Sequence, residues 1–266
     1  MSQAVRSVVR RRIVRRVVRA PLVVALLLGI ATLAPTVPLT ATAAPMSAVA
    51  GQTSDGVAVK QLKPDVVWKR IPYGHHRRRQ MAAYSRRHYG TWSWHLTDPK
   101  VVVQHYTDGT SFSSAWNTFA ANSRHNGELP GTCAHFIIDT DGTIYQLVPL
   151  EIRCRHAVGM NWTSVGIEHV GTSDAHVLNN HAQMRSSLRL SVWLMARFGI
   201  NVGNVIGHAE TLESRYHREL YRSWRCLVHA DFPHRAMRRY RTRLRDLAEA
   251  RDVRAGAGPV WMKSGC

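Results

Sequence analysis

Val101-Val102-Val103-Gln104-His105-Tyr106-Thr107, entered through Asp98-Pro99, decides how the chain is read. Its β-branched, apolar continuity predicts a short buried strand. Alternation along the pleat puts His105 on the side of Val101 and Val103, where the strand runs out. Working outward, Ala134 to Asp139 and Thr143 to Val148 are strand-like runs joined by Asp141-Gly142, a strong hairpin signal. Val165 to Val170 predicts another strand, and Val205-Ile206 leads into Gly207-His208-Ala209-Glu210. Ser111 is placed to cap a helix whose Trp116, Phe119 and Ala120 share a face. Met184, Leu188, Val192 and Met195 recur at helical spacing up to Gly199, which suits a C-cap, and Met237 to Ala250 predicts a last, arginine-rich helix. Strands alternating with helices, plus one hairpin, predict a single α/β domain with a central mixed β-sheet flanked by helices.

Met1 to Arg19 carries seven arginines and no acid, Pro21 to Ala34 is an apolar run, and Ala41-Thr42-Ala43 offers small residues for cleavage. This pattern predicts an export signal over 1–43. The route is left open between general secretion and the twin-arginine pathway, which Arg10-Arg11-Arg12-Ile13-Val14 fits loosely. The apolar run is short for a spanning helix, so no stable membrane anchor is expected after removal. Residues 44–63 read as a linker and 253–266 as a tail. Between them, 64–98 reads as a basic extension, open between wrapping the core, binding an anionic polymer and forming a solvated arm with aromatic anchors, and 99–252 as the domain. Without the signal arginines the formal charge of +19 falls to about +12, which suits adhesion to polyanions such as wall polymers, anionic lipid or nucleic acid. Export argues against nucleic acid and leaves anionic wall polymers as the expected secondary partner. The four cysteines suit an oxidising compartment. Cys133 and Cys154 flank the hairpin and are the expected disulfide, while the partners of Cys226 and Cys266 stay open.

His105, His208 and the Asp231 of His229-Ala230-Asp231 are candidate metal ligands, each at or beyond an apolar run, where a fold can bring them to one sheet edge. Zinc takes three or four N, O or S ligands and, in a catalytic site, leaves a position for water. The trio therefore suggests a zinc hydrolase, against the alternatives of core-satisfied histidines and a turn carboxylate. Glu168 lies inside the apolar Ser164-Val165-Gly166-Ile167-Glu168-His169-Val170. Burial there would raise its pKa and suit it to proton transfer; a solvated edge-strand glutamate is the alternative.

In order along the chain come His105-Tyr106-Thr107, Cys133-Ala134-His135-Phe136-Ile137-Ile138-Asp139 with Asp141-Gly142-Thr143, Arg155-His156-Ala157-Val158-Gly159-Met160-Asn161, Ile167-Glu168 and Gly207-His208-Ala209-Glu210. This ordered set resembles the zinc-dependent N-acetylmuramoyl-L-alanine amidase type 2 family, which includes peptidoglycan recognition proteins, over roughly Pro99 to Leu244. The resemblance implies that family's fold, a Zn2+ cofactor held by His105, His208 and Asp231, and Glu168 as catalytic proton carrier. It implies peptidoglycan as substrate, cleaved between N-acetylmuramic acid and L-alanine. His229 would stand where the family commonly has an oxyanion-stabilising lysine, which makes that stabilisation depend on pH. Tyr106, His135, His156 and Asn161 would lie along the substrate groove, with His135 also readable as structural. From His208 to Asp231 is 23 residues, longer than the family's usual loop. Thr211 to Leu227 would then be an inserted excursion, and His229 competes with Asp231 as third ligand. The alternative function is a non-catalytic peptidoglycan-binding module; the amidase reading expects a secreted, cell-wall location.

Overall fold

The computed structural model describes residues 54–264 and 266; the expected signal and the first part of the expected linker lie outside the described residues. In chain order the elements are α1 (Ser54–Gln61), β1 (Val67–Trp68), α2 (His75–Tyr89), β2 (Val101–Tyr106), α3 (Phe112–Ala121), β3 (Phe136–Ile138) and β4 (Ile144–Gln146). They continue with β5 (Ser164–His169), α4 (Asp174–Asn179), α5 (His181–Phe198), β6 (Val205–Gly207) and α6 (His234–Glu249). The strands form one six-stranded sheet ordered β1-β4-β3-β5-β2-β6, in which only the β3–β4 hairpin pairs antiparallel. This is the mixed α/β sheet that the alternating pattern predicts.

β2 lies in the parallel part of the sheet with both faces covered. On one face Val102, Val165, Ile167 and Phe136 pack with Leu190 and Leu194 of α5 and Met237, Tyr240 and Leu244 of α6. On the other, Val101, Val103 and Ile206 pack with Ala157 and Met160. Burial on both sides is why this strand reads as a continuous apolar run rather than an alternating one. The register sets His105 opposite Glu168 and Val103 opposite Gly166, so His105 and Glu168 share a face at one level of the sheet. The ends follow local chemistry: Ser111 Oγ accepts from the Ser114 N–H at 3.3 Å, and Gly199 closes α5 in the left-handed region at φ 64°.

Several boundaries differ from expectation. Within the expected linker, Ser54–Gln61 is helical, and Val59 and Leu62 pack partly buried against the main core. The basic extension wraps the domain: α2 buries Met81, Tyr84, His88 and Tyr89, and Arg77 donates to the Phe119 and Thr132 carbonyls at 2.7 and 3.0 Å. The expected tail is part of the domain. Val202 N–H donates to Ala255 O at 2.7 Å, Gly203 N–H to Ala257 O at 3.1 Å, and Cys266 is disulfide-bonded to Cys226. These attachments run through backbone groups and one distant cysteine, which composition does not reveal. Cys133 and Cys154 form the other disulfide, as expected.

The excursion is docked on α2. Leu220 N–H donates to His88 O at 2.9 Å. His88 itself is buried with Nδ1 against Glu219 and Nε2 against Glu128, both at 2.9 Å, and Trp224 packs on it with ring centroids 4.8 Å apart. Among the described residues no helix is long and apolar enough to cross a membrane.

Candidate active site

The parallel strands end at one edge of the sheet, and the chemically useful side chains gather there. His105 is near the end of β2, Glu168 is its neighbour on β5, and His208 directly follows β6. Asp231 arrives from the far end of the excursion. Its landing point is set by Gly207, where a Cβ would overlap the backbone of Phe232, so only glycine lets Phe232 cross the end of β6. Ala209 N–H then donates to the Asp231 carbonyl at 2.9 Å. Phe232 is buried yet left-handed at φ 54°, with Tyr106 and His169 packed beside it. That backbone conformation costs about 1 kcal/mol for an L residue, so packing must hold it in place.

His105 Nδ1 lies 3.1 Å from His208 Nδ1 and 3.2 Å from Asp231 Oδ2, and His208 Nδ1 lies 3.0 Å from Asp231 Oδ1. Among the described residues this is the one His/Cys/Asp/Glu group able to share an ion, its donor atoms all within 4.8 Å of one another. Donors about 2.0–2.1 Å from a tetrahedral zinc ion are roughly 3.3 Å apart, so the donor set fits zinc in both chemistry and spacing. His229 is outside the group. Its ring stacks on His208, with centroids 3.5 Å apart and planes at 16°.

An outer layer orients these side chains. His105 Nε2 faces His156 Nδ1 at 3.1 Å, and His156 Nε2 faces Ser164 Oγ at 3.2 Å. Gly166 makes room for this, since a Cβ there would strike the His156 ring. His169 Nδ1 donates to the His105 carbonyl at 2.7 Å.

Burial pushes the Glu168 carboxyl up to about 7; the charge of His105 opposes the rise and that of Asp231 adds to it. Only 9% of Glu168 is exposed, and its Oε2 has no hydrogen-bond partner among the described residues. Burial would also raise Asp231, but hydrogen bonds from His105 and His208, and their charge, hold it well below the usual carboxylate range. Burial, reinforced by the charge of His105, lowers His208 to about 3. Burial likewise lowers His229 to about 4, and its Nε2 is buried without a partner among the described residues.

The cleft over this group encloses about 610 Å³, with Tyr106, Phe119, Val158 and Leu227 in its walls beside His156, Glu168 and His229. A second cleft of about 640 Å³, lined by Lys63, Asp65, Asp141 and Arg189 among others, holds none of the site residues.

Of the four residues expected along the groove, Tyr106 and His156 line it accessibly. His135 does not: it is fully buried, its Nδ1 accepts from the Gly166 N–H at 3.0 Å, and its Nε2 donates to Ile152 O at 2.9 Å. Asn161 is also fully buried beneath the cleft. Its Oδ1 accepts from the His156 and Ala157 N–H groups at 2.8 Å, and its Nδ2 donates to Tyr89 Oη at 2.9 Å. His135 thus takes the structural role also open to it, whereas Asn161 borders the cleft with its polar atoms engaged by backbone groups and Tyr89. Ser164, His169 and Leu227 were not anticipated. A glycine inside a buried strand, Gly166, was the available sign of a close approach there.

Residues 95–220 match the model of the family described as N-acetylmuramoyl-L-alanine amidase. An endolysin N-acetylmuramoyl-L-alanine amidase from Clostridium intestinale is 23% identical over 55% of this chain and 81% of its own, with a TM-score of 0.39. A mutant endolysin from Bacillus subtilis is 26% identical over 55% of this chain and 84% of its own, with a TM-score of 0.37. The amidase AmiD from E. coli, in complex with anhydro-N-acetylmuramic acid-L-Ala-D-gamma-Glu-L-Lys, is 26% identical over 42% and 49%, with a TM-score of 0.35. No curated protein sequence matches the chain. The matched segment holds strands β2 to β6 and the strand-borne part of the site. Residues 95–220 carry this family's match, and they hold His105, Glu168 and His208 but end before His229 and Asp231.

Proposed function

We propose that the chain is an exported, zinc-dependent amidase that hydrolyses the bond between N-acetylmuramic acid and the L-alanine of the peptidoglycan stem peptide. The observation that carries this reading is the convergence of His105, His208 and Asp231 beside Glu168 in one cleft. Nδ1 of each histidine and the Asp231 carboxylate would hold the ion. When bound, zinc polarises an amide carbonyl and acidifies water. Glu168 takes a proton from the attacking water and delivers one to the leaving nitrogen, so that one water is consumed and a lactyl carboxylate and a free alanine amine are produced. A carboxyl that titrates near 7 suits both halves of that transfer. His229, kept neutral by burial, donates a hydrogen bond from Nε2 to the oxygen on which negative charge develops. His156 keeps the His105 ring in orientation.

Export is supported by the basic, apolar and small-residue succession of 1–43 and by the pairing of all four cysteines. Glu168→Ala is expected to leave zinc content intact and to abolish release of stem peptide from purified peptidoglycan. Unchanged release would overturn the assignment, and a wild-type zinc content far below one ion per chain would overturn the ligand set.

A further inference from the structure

α6 carries its charges in the order least favourable to its own stability. Arg235 stands at its start, where no acid is present, and the last turn has no basic residue but holds Asp246 and Glu249. The helix dipole favours the reverse arrangement. Arg235, Arg238, Arg239 and Arg243 are all exposed, on the face opposite buried Met237, Tyr240 and Leu244. Arg235 and Arg239, and Arg239 and Arg243, are like charges at four-residue spacing, which weakens a helix. Compensation is missing nearby. Among the described residues the Arg and Lys ion pairs are Arg87–Glu128, Lys100–Asp98 and Arg241–Glu210, and none of these four arginines takes part. Asp174 of the adjoining α4 is not paired with them either. Arg243 is anchored by donating to the Leu178 carbonyl at 3.0 Å.

The strip begins four residues after Asp231 in the chain and runs about 12 Å along the axis. A row of positive charge whose nearest acid on the same face is Asp246, beyond Arg243, is matched by a polymer that carries regularly spaced anions. We infer that the exposed face of α6 is a docking strip for a phosphate-bearing polymer attached to the peptidoglycan. The choice of partner rests on the amidase reading; the strip itself does not. Guanidinium groups pair with phosphate through two parallel N–H donors, and each neutralised phosphate releases a counterion, which makes such binding fall steeply with salt.

The test is co-sedimentation of the full chain with purified wall, either intact or with its phosphodiester polymers removed by acid, across a salt series. Wild type is expected to bind intact wall at least tenfold more tightly than stripped wall. Arg235→Gln/Arg238→Gln/Arg239→Gln is expected to lose at least tenfold on intact wall, and to reduce the slope of log K against log salt by about two. It should melt at or slightly above the wild-type temperature and retain hydrolysis of a small soluble muramyl peptide. The corresponding triple lysine variant should keep most of the binding. Equal binding to intact and stripped wall by wild type would overturn the proposal without recourse to any variant, as would an unaffected glutamine variant or tighter retention on duplex DNA than on intact wall. Failure of wild type to cleave the muramyl peptide, with the wall-binding differences preserved, would overturn the amidase reading and leave the strip standing.

Discussion

His105, Glu168 and His208 sit on or at the end of parallel strands, whereas His229 and Asp231 ride a chain returning from a long excursion. The first three owe their positions to strand register and to a core packed on both faces. The other two owe theirs to remote fastenings: Glu219 on His88, Trp224 on α2, Cys226 on Cys266, and the passage of Phe232 over Gly207. The family match covers the strand half and ends at 220, inside the excursion. The sheet thus fixes the strand-borne residues, whereas Asp231 depends on the returning chain being clamped at the strand end.

The largest expected effect comes from breaking that clamp. Gly207→Ala would force a Cβ into the Phe232 backbone, which cannot swing aside as a side chain can. Overpacking of this kind costs about 3 kcal/mol. If it falls on the position of Asp231, zinc affinity drops about a hundredfold while the circular dichroism of the sheet and helices stays that of wild type. Chelator competition reads the affinity; an unchanged value would mean that Asp231 is positioned by something other than the Gly207–Phe232 crossing.

The strand half was legible in the sequence because its signals are local. β-branched density marks β2, Asp141-Gly142 marks the hairpin, and a glycine before His208 marks the end of a strand. The loop half was not, because its causes are contacts between residues far apart in the chain. Nothing near Asp231 announces that Phe232 needs an uncluttered Gly207, and nothing near His88 announces Glu219. His135 and Asn161 lie in motifs that look like groove residues, but sequence gives the residue type and not its partners. Both spend their polar atoms on backbone groups and Tyr89.

A smaller effect weighs the strand half by its outer support. His156 is held over Gly166 and meets the Nε2 of His105, the nitrogen turned away from the ligand group. A partner at that nitrogen fixes ring orientation and ligand basicity, and its loss typically weakens metal binding ten- to a hundredfold. His156→Phe, which fills similar space without a hydrogen bond, is expected to lose about tenfold in zinc affinity, at the lower end of that range, with the melting temperature of the metal-free protein nearly unchanged. An equal loss on Gly207→Ala and His156→Phe would erase the distinction between the halves. No loss on His156→Phe would mean that strand register alone orients His105.

The smallest effect at neutral pH belongs to His135, which tests whether the strand half depends on a neutral buried imidazole. Burial lowers its pKa to about 4, against a hydrogen bond to Ile152 O that works the other way. With an unfolded value near 6.5, the unfolded chain holds the extra proton between those two values and the folded chain does not. The stabilising contribution is therefore complete above about pH 6.5 and is lost progressively as pH falls toward 4. At pH 5.5 the loss amounts to about 1.4 kcal/mol, growing by a similar amount per pH unit below that. His135→Gln keeps an amide that can donate and accept but does not titrate, so urea unfolding between pH 6.5 and 5 should show a pH slope shallower than wild type by about one proton. Coincident slopes for the two proteins would mean that His135 is not held neutral within the strand core.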